Sequence, residues 1–342
     1  MRLLTSCAFL PQKVPPSSTV KSSMSMVACS SISATRNRQA RRSAPVPQTG
    51  AVLVTEVPFF DTHVHFYDLG HPELEYSWLA PEFVHPVIGN IDAVKSQQYR
   101  QEDFLAESRF NHVSKVIHVQ AALGSKDPVV ETQWLSDGFE RAEIPHGIIA
   151  HANLMAHDLE AQLDRHSQFA GFRGIRDFSE GDYLVDERYR RGIRILGDRG
   201  LVASIDCHPE TFDKVAALAA AAPDTIICID HCGFPRQRDD DYFAFWKRGM
   251  ATIAAQPNTF IKISGLGMVD QRWTTESLRP WVETSIELFG SDRAVFGSNW
   301  PLDRLFSSYT DLVQAYRRLI AGYAPHEQVA LFAGNAERIY AV

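Results

Sequence analysis

From Val57 onward, short runs of β-branched and aromatic residues alternate with longer stretches in which apolar positions recur at helical spacing. This is the pattern of repeated strand–helix units on a parallel sheet. Eight runs have strand character, at residues 58–66, 113–121, 147–154, 172–177, 202–207, 226–231, 260–265 and 294–299. Helical patterns lie between them at 127–141, 158–166, 186–199, 210–222, 241–255 and 275–289, and several open on a capping residue, as at Asp158 and Thr275. Two more helices follow the eighth strand, at 308–321 and 325–340, the second placed to close the barrel bottom or to flank it. Eight such units predict an α/β protein with a single-domain (β/α)8 TIM barrel over residues 57–342. The longest insertion, 67–111, carries Tyr76 and Trp78 and is expected to shape the barrel mouth.

Composition changes the picture mainly at the N-terminus. Residues 1 to about 50 are rich in Ser and Thr, punctuated by proline, and free of acids, with seven Lys or Arg before the first acid, Glu56. Such a stretch buries no core and has the character of an organellar transit peptide. The plastid is the expected destination and the mitochondrion the alternative. Without that segment the net charge moves from −7 to −14. An acidic body argues against a nucleic-acid partner, and no apolar run is long enough to span a membrane, so a small-molecule substrate is expected. Of the five cysteines, Cys207, Cys228 and Cys232 lie in the body without any C-x-x-C pair, which excludes a disulfide framework as the organising device.

The chemistry gathers where strands end. The first strand closes on Asp61-Thr62-His63-Val64-His65, and strict alternation would place Asp61, His63 and His65 on one face, with the two imidazoles forming a pincer for zinc or a similar ion. His208 follows the fifth strand and His231 ends the sixth, so four histidines from three strands share the rim that carries barrel active sites. Arg173 and Arg176, three apart on the fourth strand, face opposite ways, so at most one is expected to enter the barrel; Arg176 is nearer the rim, where a guanidinium could grip a carboxylate or a lactone carbonyl. His118 and His151 lie within strands two and three, as polar filling or as substrate contacts.

Together with these histidines, His118-Val119-Gln120-Ala121, Phe172-Arg173-Gly174-Ile175-Arg176, Ile229-Asp230-His231-Cys232-Gly233, Ile261-Lys262-Ile263-Ser264-Gly265 and Phe296-Gly297-Ser298-Asn299-Trp300-Pro301 resemble the amidohydrolase superfamily, in particular its amidohydrolase-related branch of lactonases. The resemblance implies a hydrolase that attacks a lactone or related carboxylic ester of a small metabolite with activated water. It implies one divalent metal, zinc foremost, on His63, His65 and His208, with metal-free catalysis as the alternative. It also implies catalytic roles for His208 and His231, and substrate contacts from Arg176, Arg173, His118, Asn299 and Trp300. The fourth strand lacks a bridging lysine or glutamate, so a two-metal centre is not expected. Where relatives commonly carry a strand-eight aspartate this chain has Asn299, and Asp303, four residues on, becomes the candidate proton acceptor. Two other functions remain open: a zinc-dependent non-oxidative decarboxylase of the same superfamily, and a barrel that binds a metabolite without turnover.

Overall fold

The computed structural model describes residues 56–179 and 181–342; the expected transit peptide, 1–50, lies outside them. Eight strands form one parallel sheet in chain order: β1 (Phe59–Val64), β2 (Val113–Val119), β3 (Gly147–Ala150), β4 (Phe172–Arg176), β5 (Val202–Ile205), β6 (Ile227–Ile229), β7 (Thr259–Ile263) and β8 (Ala294–Phe296). The seam between first and last strands closes through a parallel bridge of Val64 with Trp300. Along it the His65 amide donates to Trp300 O at 2.7 Å, the Asn299 amide to His63 O at 2.8 Å, and Thr62 Oγ1 to Phe296 O at 2.7 Å. This is the expected (β/α)8 barrel.

The strands start close to where the β-branched runs start and stop earlier, β3 at Ala150 and β8 at Phe296. The residues past each ladder end turn out over the barrel rim, and most of the candidate site is built from them. Alternation fails on β1, where the pairing with β2 slips in register between Asp61 and Val64. His63 therefore points into the barrel while Asp61 lies against the helix Tyr309–Ile320, accepting from Tyr309 Oη at 2.9 Å and the Ser298 amide at 2.8 Å. Burial pushes its carboxyl up to about 6, against those hydrogen bonds. Asp61 thus belongs to the seam and not to the histidine face that simple alternation predicts.

Between strands and helices the core is filled by residues such as Leu135, Leu163, Ile193, Leu218, Trp246 and Val282, all fully buried. A second cluster fills the barrel interior, where Phe60, Ile117, Val119, Ile149, Val202 and Val295 meet Ile339 and Tyr340 of the helix Asn335–Tyr340. That helix closes the bottom. Lys115 Nζ ties its end down, reaching Glu337 Oε1 at 2.9 Å and Val342 O at 2.8 Å. The helical pattern expected over 325–340 divides into Pro325–Val329, a π-turn Ala330–Gly334 and Asn335–Tyr340; the wider turn seats Phe332 against Phe59 and Phe296.

Two expected caps differ. Thr274, one residue earlier than expected, accepts from the Ser277 amide, and Asp158 caps nothing, its carboxylate taking Gln162 Nε2 at 3.0 Å instead. The insertion holds two short helices, Asp92–Lys95 and Gln101–Ser108, and sends Phe83, His85, Pro86 and Val87 to the barrel mouth. Trp78 also lines the mouth, its indole donating to Ala121 O at 2.8 Å, whereas Tyr76 is buried beneath it. Cys207, Cys228 and Cys232 are buried free thiols, and among the described residues no helix is long and apolar enough to cross a membrane.

Candidate active site

A cavity of about 390 Å³ opens at the C-terminal ends of the strands, bounded by His65, Arg176, His208, His231 and Asn299 on the barrel side. Beneath it lies a buried charge cluster. Asp230, just past β6, receives Lys262 Nζ of β7 at 2.9 Å, Arg176 Nε of β4 at 3.1 Å and Ser204 Oγ of β5 at 2.9 Å on each oxygen. Burial pushes its carboxyl up, but the Lys262 and Arg176 charges outweigh that and hold it at about 2. Arg176 also reaches Asp206 Oδ2 at 3.2 Å. Its guanidinium is thus held between two carboxylates, which fix a cation at the cavity wall.

Three of the histidines, His63, His65 and His231, are held neutral. Burial lowers His65 to about 3, with the Arg176 charge adding to it, and lowers His231 to about 3 despite neighbouring Asp230; His63 falls well below its ordinary value for the same first reason. His65 Nδ1 donates to Val119 O at 2.8 Å, which leaves its Nε2 a bare lone pair 3.1 Å from His63 Nε2. His231 Nδ1 pairs with Ser264 Oγ at 2.9 Å, and its other ring nitrogen has no protein partner among the described residues. The backbone that presents it is strained, with positive φ at His231 (55°), Cys232 (53°) and Phe234 (52°). Gly265, at φ 61°, is needed here, since a Cβ there would come within 2.4 Å of His231 Nδ1. His208 lies more openly on the wall, with Nδ1 2.7 Å from Glu210 Oε2.

Of the residues read from the sequence, the structure brings His65, Arg176, His208, His231 and Asn299 to the cavity, with His63 directly behind His65. Four others lie elsewhere. His118 is turned away because Ile117 and Val119 take the inward positions of β2; its ring faces Glu131 at 3.3 Å and accepts from the Phe66 amide. Arg173 sits at the opposite end of β4, with Nη1 on Ala170 O and Phe172 O. Trp300 is buried in the seam, its indole on Glu107 and its ring 5.3 Å from Tyr309. Asp303 is buried behind Asn299 and does not line the cavity. His151 also stays off the wall, its Nδ1 3.4 Å from Arg176 O.

Asp303 acts instead on Asn299. Asn299 Nδ2 donates to Asp303 Oδ2 at 2.8 Å, so its amide oxygen is the atom left for the cavity. The other carboxylate oxygen packs on Gly267, where a Cβ would come within 2.2 Å of it. Burial pushes Asp303 up to about 7, against the hydrogen bond from Asn299. A carboxyl whose folded value lies above its unfolded one binds its proton more tightly in the folded state. Stability is therefore lost as pH rises from the ordinary carboxylate range through about 7 and is level above it. Asp303→Asn removes this dependence, so its stability relative to the parent is expected to rise by on the order of a few kcal/mol between pH 4.5 and 8. Urea unfolding across that range checks it, and a difference that stays constant with pH contradicts it.

His63 and His65 suit a divalent ion, because the bare Nε2 of His65 faces His63 Nε2 at 3.1 Å, a pair that is satisfied either by a shared proton or by a cation between them. His208 does not join them. Among the described residues no three His, Cys, Asp or Glu side chains come together as a metal-holding group, so the expected three-histidine set is not assembled. Elemental analysis after zinc loading is expected to give at most one equivalent, abolished in His63→Ala and unchanged in His208→Ala. Two equivalents, or loss of metal with His208, would contradict this two-imidazole arrangement.

A closed parallel barrel with polar side chains converging on its C-terminal rim is the arrangement of a (β/α)8-barrel enzyme. The chain belongs to the amidohydrolase family, whose model matches residues 60–342. It is 34% identical over 301 residues to the uncharacterised protein y4mH of Sinorhizobium fredii, covering 84% of this chain and 100% of that one. It is 24% identical to an L-fucono-1,5-lactonase of Burkholderia ambifaria, covering 82% and 95%. A solved amidohydrolase from Burkholderia multivorans with bound zinc shares the fold at a TM-score of 0.71, with 24% identity and 83% and 99% coverage.

The sequence reading missed the partners of the residues it found. Glu210 behind His208, and Asp230 and Lys262 beneath His63, were not assigned roles. Two isolated opposite charges inside the apolar runs of neighbouring strands were the available signal for the second pair.

Proposed function

We propose that the chain hydrolyses a lactone or related carboxylic ester, with His208 as the proton acceptor. The observation that carries this reading is the His208–Glu210 pair on the cavity wall, with Nδ1 2.7 Å from a carboxylate oxygen. The carboxylate fixes the tautomer, so the bare Nε2 is available to take a proton from water. The resulting hydroxide adds to the acyl carbon. Oxygen charge that develops on the carbonyl is met by the Arg176 guanidinium and the free ring nitrogen of His231, both held in place before substrate arrives. Collapse of the adduct breaks the acyl–oxygen bond, and His208 returns its proton to the departing alkoxide, giving the hydroxy acid. A divalent ion, if bound, would be held by His63 and His65 and would supply Lewis acidity. Asn299, aimed by Asp303, offers its amide oxygen to the attacking water or to a substrate hydroxyl.

The relatives named as lactonases support this reading. The test is acid release, followed by pH-stat, from a panel of five- and six-membered lactones and phenyl esters, with carbon dioxide release from aromatic carboxylates measured in parallel. Hydrolysis is expected. Carbon dioxide release without hydrolysis would replace this reading with a decarboxylase, and neither activity would leave a binding barrel.

A further inference from the structure

Three of the four ring nitrogens of the His63–His65 pair have partners. His65 Nδ1 donates to Val119 O at 2.8 Å, and the two Nε2 atoms face each other at 3.1 Å. The fourth, His63 Nδ1, is buried and has no hydrogen-bond partner among the described residues. It faces Asp230 Oδ1 at 3.8 Å, with both side chains fully buried. That separation is about 1 Å beyond a normal N–H···O hydrogen bond.

The protons of the pair decide what this contact means. Each neutral ring carries one, and that of His65 is on Nδ1. With nothing between the rings, His63 must keep its proton on Nε2 to donate to His65 Nε2. Its Nδ1 is then a bare lone pair turned toward a carboxylate in a low-dielectric interior, which is unfavourable. A cation bound by both Nε2 atoms reverses this, because His63 must then carry its proton on Nδ1, directed at Asp230. The orphaned nitrogen gains an acceptor. Asp230 has a place for it: Lys262 Nζ at 2.9 Å, Arg176 Nε at 3.1 Å and Ser204 Oγ at 2.9 Å already hold the carboxylate still, and a carboxylate accepts about four hydrogen bonds where these three groups donate.

Resting on the two-imidazole metal site described above and not on hydrolysis, we propose that Asp230 is a positioning residue for the bound cation: it accepts the Nδ1 proton of His63 and so selects the tautomer whose Nε2 is free to bind metal. Without the cation the same proton lies on Nε2, so cation uptake moves it across the ring and releases none from the pair. An outer carboxylate of this kind orients a histidine ligand and raises its basicity.

Zinc affinity, read by competition with a chromophoric chelator, is compared between the full chain and the double variant Asp230→Leu with Lys262→Met. Together the substitutions remove one charge of each sign, so the net charge beneath the site is unchanged and the lost His63 contact is what the comparison reads. Zinc is expected to bind the double variant roughly 10- to 100-fold more weakly, the usual cost of losing such a carboxylate. Affinities equal within about threefold overturn the proposal. Nitrogen NMR of the parent chain with isotopically labelled histidine gives a second readout, which stands even where the double variant fails to fold. The His63 ring, assigned by its loss in His63→Ala, is expected to carry its proton on Nε2 without zinc and on Nδ1 with zinc. A zinc-loaded His63 protonated on Nε2, or a parent chain that binds no zinc, overturns the proposal. Neither measurement uses turnover, so a chain that hydrolyses no lactone removes the hydrolase reading and leaves this test intact.

Discussion

Replacing Asp230 by alanine is expected to destabilise the barrel by about 3–5 kcal/mol, the usual cost of removing one partner from a buried ion pair. Among the described residues its carboxylate is the only counter-charge of Lys262 Nζ, at 2.9 Å with both side chains fully buried, and it shares Arg176 with Asp206. Deleting it leaves an ammonium in the barrel interior with Ser204 Oγ at 3.5 Å as its remaining hydrogen-bond partner among the described residues. The cost is that uncompensated charge and not the worth of the pair, so the double variant Asp230→Leu with Lys262→Met should recover much of the loss. Urea unfolding of the three variants measures this. A loss under about 1 kcal/mol for Asp230→Ala would mean that water reaches Lys262.

His208→Ala is expected to lower kcat/KM by roughly 10²- to 10⁴-fold, the range for loss of a general base, while leaving the unfolding midpoint within experimental error. The two effects separate because the His208 side chain is 37% exposed and, among the described residues, forms an ion pair only with Glu210, which is more exposed still. Glu210→Gln keeps the imidazole and loses the charge that sets its tautomer, so a smaller fall of about 10-fold is expected. If His208→Ala costs less than about threefold while Asp206→Asn costs far more, the proton goes to the aspartate at the cavity wall and not to the imidazole.

The architecture was legible because each buried parallel strand is a short β-branched run and each helix an amphipathic one, two periods that do not mimic each other. The rim histidines were legible for a related reason, since polar residues at the ends of such runs have few structural uses. What failed was facing. Counting by twos put Asp61 with His63, and the family resemblance put His118 within reach of substrate, but the β1 register slip and the inward Ile117 and Val119 place both elsewhere. Asp303 was found as a nearby carboxylate, yet only coordinates could place it behind Asn299 instead of beside water. Gln120 carried no sequence signal at all: what marks it is a buried amide with no hydrogen-bond partner among the described residues, which composition and spacing do not encode.

The floor of the barrel interior is supplied by Ile339 and Tyr340, residues made after all eight strands. During synthesis, Phe60, Ile117, Ile149 and Val202 therefore have no lid on their lower side until translation has passed the last helix. A ribosome-bound chain that has already exported β8 should remain protease-sensitive and open to chaperones, and fusions that pull on residues 335–342 should cost more than fusions ahead of residue 57.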